Sequence, residues 1–194
     1  ENSSVIAHVG VLASDGYRYN SDYTNKNYLL KGVFNKKKQP IEMLATFFDK
    51  KFGANGFYAS ATATEQYEET QSSLLGVSTT FKTEKFKITP RIYWKRGQDE
   101  YVYIRDNPSV YRNLHITNKV GAETNVSYRS DIGITGFGID ISRVFISSNN
   151  LGNRNRTMAN LFLEHRFKLA EGTIDVTPGV AVTYFSDFKF HAFP

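Results

Sequence analysis

The chain contains no cysteine. That absence removes disulfides, zinc-thiolate centres and cysteine nucleophiles, and it fits several compartments equally well. Proline is scarce, with five among 194 residues. No run of 18 or more apolar residues occurs, which excludes a transmembrane helix. The opening ENSSVIAHVG lacks the basic and apolar regions of a signal peptide, although trimming could have removed one. Low-complexity and disordered compositions are absent too. A net charge of +5 raises the question of nucleic acid. The charges are scattered, however, and the one basic run of three, Lys36–Lys38, falls in an expected turn. A solvated hairpin tip accounts for it, and no nucleic-acid partner is expected.

What is present is aromatic content, 15 Phe and 12 Tyr, and repeated period-2 alternation. In FKITPRIYW, Phe86, Ile88, Pro90, Ile92 and Trp94 fall on one face, against Lys87, Thr89, Arg91 and Tyr93 on the other. Ile116–Tyr128, Ala159–Phe167 and Thr173–Phe185 alternate in the same way. These are half-buried strands. Val5–Ala13, Tyr28–Phe34 and Ser72–Phe81 alternate less cleanly. The stretch PIEMLATFFDKK fits helix and strand about equally, and its neighbours favour a strand, Ile41–Lys51. Along Ile132–Phe145 the apolar phase flips between Ile134 and Phe137, beside Gly136, which predicts a bulge.

Nine strands result, and their connections alternate in length. Short polar turns (NKKKQ, KTEK, RSD, AEG) alternate with longer stretches at about 14–27, 52–70, 97–115 and 147–157. An up-and-down antiparallel meander puts all the long connections at one rim, as membrane barrels do. The expected fold is therefore all-β: an antiparallel up-and-down meander of about nine strands, part of a larger transmembrane β-barrel. Its polar faces would line a lumen and its apolar faces would meet lipid. Nine is odd where single-chain bacterial barrels use even numbers, and SDFKFHAFP reads as the start of another loop. Residues 1–194 are thus expected to form one barrel segment.

Several motifs resemble one family. FGANGFYA (Phe52–Ala59), QYEET (Gln66–Thr70), YW–KR (Tyr93–Arg96) and YRNLHITNKVGAETN (Tyr111–Asn125) are similar to barrel segments of TonB-dependent outer-membrane receptors. So are SSNNLGNRNR (Ser147–Arg156), SDGYRYNSDY (Ser14–Tyr23) and PGVAVTYFSDF (Pro178–Phe188), and the set looks most like cobalamin-type receptors of the Bacteroidetes branch. The resemblance implies a bacterial outer-membrane location and a barrel of about 22 strands closed by a plug domain. It further implies uptake of a scarce nutrient such as cobalamin, haem or an iron chelate, with TonB, the protein's own plug and outer-membrane lipid as partners. This sequence lacks the plug, a TonB-contacting segment and a terminal aromatic strand, so transport would belong to a parent protein.

Candidate ligand-binding residues cluster in the long connections: Tyr17, Arg18 and Tyr23; Phe57 and Tyr58; Arg96, Tyr101, Arg105, Asp106, Tyr111 and Arg112; Asn149, Asn150, Arg154 and Arg156. Hydrogen-bonding and aromatic side chains of this kind hold large polar ligands. The competing expectation is that the loops fold on one another and touch no ligand. Asp15 and Asp22 offer oxygen ligands without a calcium-loop spacing. His8, His115, His165 and His191 form no metal-ligand spacing. Gly133, Gly136 and Gly138 suggest close packing against a plug or a strand bend. No cofactor, metal or catalytic constellation emerges, so an enzyme is not expected. Two other readings stand beside the receptor: a small self-contained β-barrel binding a hydrophobic ligand, and a structural or adhesive outer-membrane barrel.

Overall fold

The computed structural model describes residues 2–37, 39–170, 173–187 and 189–193, the last group by backbone alone. Lys38 of the basic run and the side chain of His191 lie outside the described residues. Twelve strand segments form one sheet: β1 (Ser4–Ser14), β2 (Tyr23–Phe34), β3 (Ile41–Gly53), β4 (Tyr67–Thr79), β5 (Phe81–Lys82) and β6 (Phe86–Val102). There follow β7 (Arg112–Ser130), β8 (Gly133–Ser148), β9 (Gly152–Leu169), β10 (Ile174–Val176), β11 (Gly179–Phe185) and β12 (Lys189–Phe193). Each strand pairs antiparallel with its chain neighbour along the path β1-β2-β3-β4-β6-β7-β8-β9-β11-β12, while β5 flanks β6 and β10 flanks β9. The sheet is an up-and-down meander that does not close on itself, with β1 and β12 at its edges.

The alternation read from the sequence becomes two chemically distinct faces. Direct partners across a ladder share a face, so Val5, Leu30, Met43, Leu75, Ile92, Val120, Ile139, Leu161 and Val180 all lie on one side. These side chains remain open to the surroundings; Ile92 is 61% exposed and Leu163 46%. The opposite face carries ion pairs between neighbouring strands, Lys31 with Glu42 and Arg91 with Glu123. Nearby, the Tyr93 hydroxyl donates to Asp140, as does the Asn160 amide. A sheet with apolar residues solvated and charges paired on its back has no core between layers. The buried apolar residues among those described are Ala54, Ala63 and Val102, all at one rim.

Several expectations change in detail. PIEMLATFFDKK is strand, because β2 and β4 flank it and take up its backbone groups. Residues of SDFKFHAFP form β12, which pairs with β11 across a short turn, where a loop was expected. The ninth expected strand is two segments, because Pro178 offers no N–H; its carbonyl instead accepts from the His165 N–H at 3.0 Å. No bulge interrupts β8, whose pairing with β7 and β9 runs one-to-one throughout. The phase flip means only that Ile134 sits on the polar face. Gly136 and Gly138 lie within this unbroken pairing. They leave room for the Glu164 and Phe162 side chains of β9 to lie across β8, and a Cβ at Gly138 would meet the Phe162 ring at 2.0 Å.

The largest revision concerns 147–157, expected as a long loop. β8 and β9 run on through it, so only Asn149–Leu151 turn. Likewise β6 and β7 take most of 97–115 and leave 103–111 as the connection. These strands of 16 to 19 residues are far longer than ordinary globular strands. Their apolar stretch ends partway up. Beyond Trp94 and Val120 the same face turns polar through Arg96, Gln98 and Asn118.

Candidate functional site

Three connections at one rim, 15–22, 54–66 and 103–111, fold into a single body. Its centre is Gln66, a fully buried side chain. Gln66 Nε2 donates to the Tyr101 hydroxyl at 2.6 Å, and its Oε1 accepts from the Tyr58 N–H at 3.3 Å. Asn20 adopts a left-handed φ of 47°, which asparagine tolerates better than most residues. From there its amide donates to the carbonyls of Thr64 and Gln66 at 2.8 and 2.7 Å. Gly53 packs against Asn20 so closely that a Cβ would meet its backbone oxygen at 2.5 Å.

Arg105 ties the third connection to the first. Its guanidinium donates to both Asp22 carboxylate oxygens at 2.6 and 2.9 Å and to Asn20 Oδ1 at 3.0 Å. The same group lies 4.6 Å from the centre of the Tyr67 ring. Arg105 holds the Asp22 carboxyl below the usual carboxylate range, chiefly through these hydrogen bonds. On the outer side the Tyr19 hydroxyl donates to Glu65 at 2.6 Å, and that bond to a carboxylate pushes the phenol up. Arg18 donates to the Asn55 carbonyl.

The candidate residues separate into four groups. Phe57, Tyr58, Tyr101 and Tyr111 are brought together as a row of rings, with centroid steps of 4.8, 5.5 and 6.3 Å. Burial, followed by Glu68, pushes the Tyr58 phenol up. The row continues into Asn150, whose amide donates to the Tyr111 hydroxyl at 3.2 Å, and Asn149 caps the end of β7 through Leu114 and Arg112. Phe57 itself is 74% exposed. Arg105 and Arg18 form the second group, as ties between the loops; Arg112 likewise pairs with Glu100.

Arg154 and Arg156 stand apart, on strand β9 and not on a loop. They border a hollow of about 560 Å³ on the polar face with Thr117, Ile146, Met158 and Asp187. Arg156 donates to Asp187 at 2.6 and 2.9 Å. The last group is dispersed. Tyr17 is exposed at a loop tip, Asp106 is exposed beside Arg105, and Tyr23 begins β2 opposite Phe52. Arg96 lies on β6, on the same face as the apolar band, and reaches Gln98.

Sequence reasoning passed over Gln66, Asn20, Asn55 and Glu65, the residues that tie the loops together. Only Asn20 carried a signal, in the turn-prone run YNSD. Asp22, weighed as a calcium ligand, is taken by Arg105. Among the described residues no group of three or more His, Asp or Glu is placed to hold a metal. Chemically, the rim offers ring faces and amides for stacking and hydrogen bonding, and the hollow offers guanidinium groups. Scanned against family models the chain matches none, and it matches no curated protein.

Proposed function

We propose that this chain is wall of an outer-membrane β-barrel, a segment of a TonB-dependent receptor that binds and imports a scarce nutrient such as cobalamin, haem or an iron chelate. One observation carries the membrane part of this reading. Most of the exposed apolar side chains form a band on one face; the other face carries paired charges, with Ile6, Leu12, Phe48 and Phe162 as exposed apolar exceptions. In β6 the band runs from Phe86 to Trp94 and in β9 from Ala159 to Phe167. Stretches of this length at about 3.3 Å per residue and about 45° tilt cover roughly 20 Å along a membrane normal. That is close to the ~25 Å apolar belt of outer-membrane barrels. Aromatic residues sit at the band's lower end, where Phe86 and Tyr128 stack at 4.7 Å.

The receptor part rests on the resemblance of the loop and strand motifs, supported by one-sided growth of the strands into a folded rim of rings, amides and guanidinium groups. In this reading further strands complete the wall, the plug meets the polar face, and TonB acts through the plug. A self-contained lipocalin-like barrel would need the apolar band inside a closed sheet, and the exposed band and open edges weigh against that alternative.

Two measurements test the proposal. Trp94 is the single tryptophan and belongs to the band's face. After reconstitution into bilayers, lipids brominated on their acyl chains should quench its fluorescence, whereas water-soluble quenchers should not. Quenching from water alone would overturn the membrane reading. Sequencing the gene upstream addresses the receptor itself: a reading frame with no plug-coding region would leave a structural or adhesive barrel in its place.

A further inference from the structure

The rim opposite the folded loops carries an excess of positive charge. The antiparallel order brings the 35–40 turn, the 80–85 turn and the β7 and β9 ends to one end of the sheet. There Lys36, Lys37, Lys82, Lys85, Arg129 and Lys168 outnumber Glu84, Asp131 and Asp175 among the described residues, Asp175 lying opposite Lys168 and pairing with Arg166. All six cations are exposed. Lys36, Lys37, Lys82, Lys85 and Arg129 make no salt bridge among the described residues, whereas at the opposite rim Arg105, Arg112 and Arg156 pair with carboxylates and Arg18 and Arg154 donate to backbone carbonyls. The connections at that opposite rim hold Asp15, Asp22, Glu65, Asp106 and Asp187 against Arg18 and Arg105. The sheet is therefore electrically polar along its strands.

The basic residues do not stand in open water in the proposed setting. They follow directly on the apolar band through a row of exposed rings, Phe34, Phe81 and Phe86. Apolar band, aromatic row and lysines in that order match the layers of a phospholipid monolayer: acyl chains, interface and head groups. We infer that the Lys36–Lys37 and Lys82–Lys85 turns, with Arg129, bind the anionic head groups of phospholipids and so fix which end of the sheet meets the phospholipid leaflet. This inference rests on the membrane reading above and adds a ligand class to a basic run that a solvated hairpin tip otherwise explains. The attraction comes from ammonium groups without a carboxylate partner near an anionic surface.

The test uses the chain and a variant with Lys36→Gln, Lys37→Gln, Lys82→Gln and Lys85→Gln, refolded into vesicles of pure phosphatidylcholine or with about one third phosphatidylglycerol. The unmodified chain should insert faster and more completely into the anionic vesicles, by roughly tenfold or more at low salt. The variant should insert into both kinds of vesicle at similar rates, and added salt should remove the difference for the unmodified chain. Strand circular dichroism and protease protection report whether each protein has folded. Insertion of the unmodified chain into both vesicles without preference would overturn the head-group inference and leave the membrane reading standing. So would a variant that keeps the full preference. Failure of the unmodified chain to insert into either vesicle would overturn both.

Discussion

Arg105 and Asp22 lie 83 residues apart, yet the guanidinium of one grips both carboxylate oxygens of the other at 2.6 and 2.9 Å. The pair joins the first long connection to the third, and Asn20 and Tyr67 complete the contact surface of the arginine. Both partners are more than a third exposed, so solvent screening keeps the pair near the ~1 kcal/mol limit of exposed ion pairs. The ring contact adds about 0.5–1 kcal/mol.

Replacing Arg105 by Ala should therefore destabilise the loop body by about 1–2 kcal/mol and leave the sheet paired. Limited proteolysis reads the effect directly, as faster cleavage within 15–22 and 54–66 with no change in strand circular dichroism. Lys at 105 should rescue little, because a single ammonium cannot span both carboxylate oxygens. Cleavage of the variant at the unmodified rate would show that the tie carries no energy.

The same pair sets a pH dependence. Asp22 has its folded-state pKa depressed by Arg105, so its contribution is present above the ordinary aspartate value of about 3.9. The contribution is lost as pH falls through the folded-state value. Protease resistance of the loops should stay flat from neutral pH down to about 5 and decline only in stronger acid. In Asp22→Asn this acid-dependent component should vanish. A loss centred near pH 6 would point to a histidine and not to Asp22.

Gln66 is the buried polar hub of the rim, 0% exposed. Gln66→Leu removes the donor to Tyr101 and the acceptor of the Tyr58 N–H, stranding two polar groups in a closed site. The expected cost is about 1–3 kcal/mol, measured as a shift in the denaturant midpoint of the loop transition. Tyr101→Phe should cost less than Gln66→Leu, because it strands only the Gln66 amide.

Gly53 and Gly97 make a matched pair of alanine substitutions. A Cβ at Gly53 would strike the Asn20 backbone, which cannot rotate away, whereas at Gly97 nothing lies within 4 Å. Gly53→Ala should loosen the 15–22 connection at a cost of about 1–3 kcal/mol. Gly97→Ala should be neutral or stabilising by up to about 1 kcal/mol. Equal effects in thermal unfolding would contradict the packing described at Asn20.

Leu163 lies midway along the apolar stretch of β9, opposite Phe137 and Val180. Leu163→Lys should cost about 2–4 kcal/mol of folding in a bilayer, the price of a charge at mid-membrane depth. Asn125→Lys, on the polar face, should cost far less. Equal tolerance of both substitutions in reconstituted bilayers would show that the band does not meet lipid.

By itself the sequence determined most of the strands and, along the cleanly alternating ones, the side each residue takes. Alternation at period 2 follows from the pleat, so Ile92 and Arg91 had to point to opposite faces wherever β6 lay in space. It also determined the meander, because short polar turns admit only antiparallel neighbours. It did not determine where strands end. Nothing local distinguishes Arg154 in a loop from Arg154 in a ladder, and only the pairing of β9 with β8 made SSNNLGNRNR mostly strand. The phase flip at Gly136 read as a bulge because a one-residue slip and a polar-face isoleucine leave the same local pattern.

The rim was decided by tertiary structure alone. Gly53 in FGANGFYA is needed for the approach of Asn20, a residue 33 positions earlier, which nothing in the motif itself shows. That Arg105 ties two loops was not legible, since its partner Asp22 is remote in sequence and no short-range spacing encodes that distance. Gln66 carried no signal at all. Burial depends on what three separate connections do together, and that is a property of the folded chain.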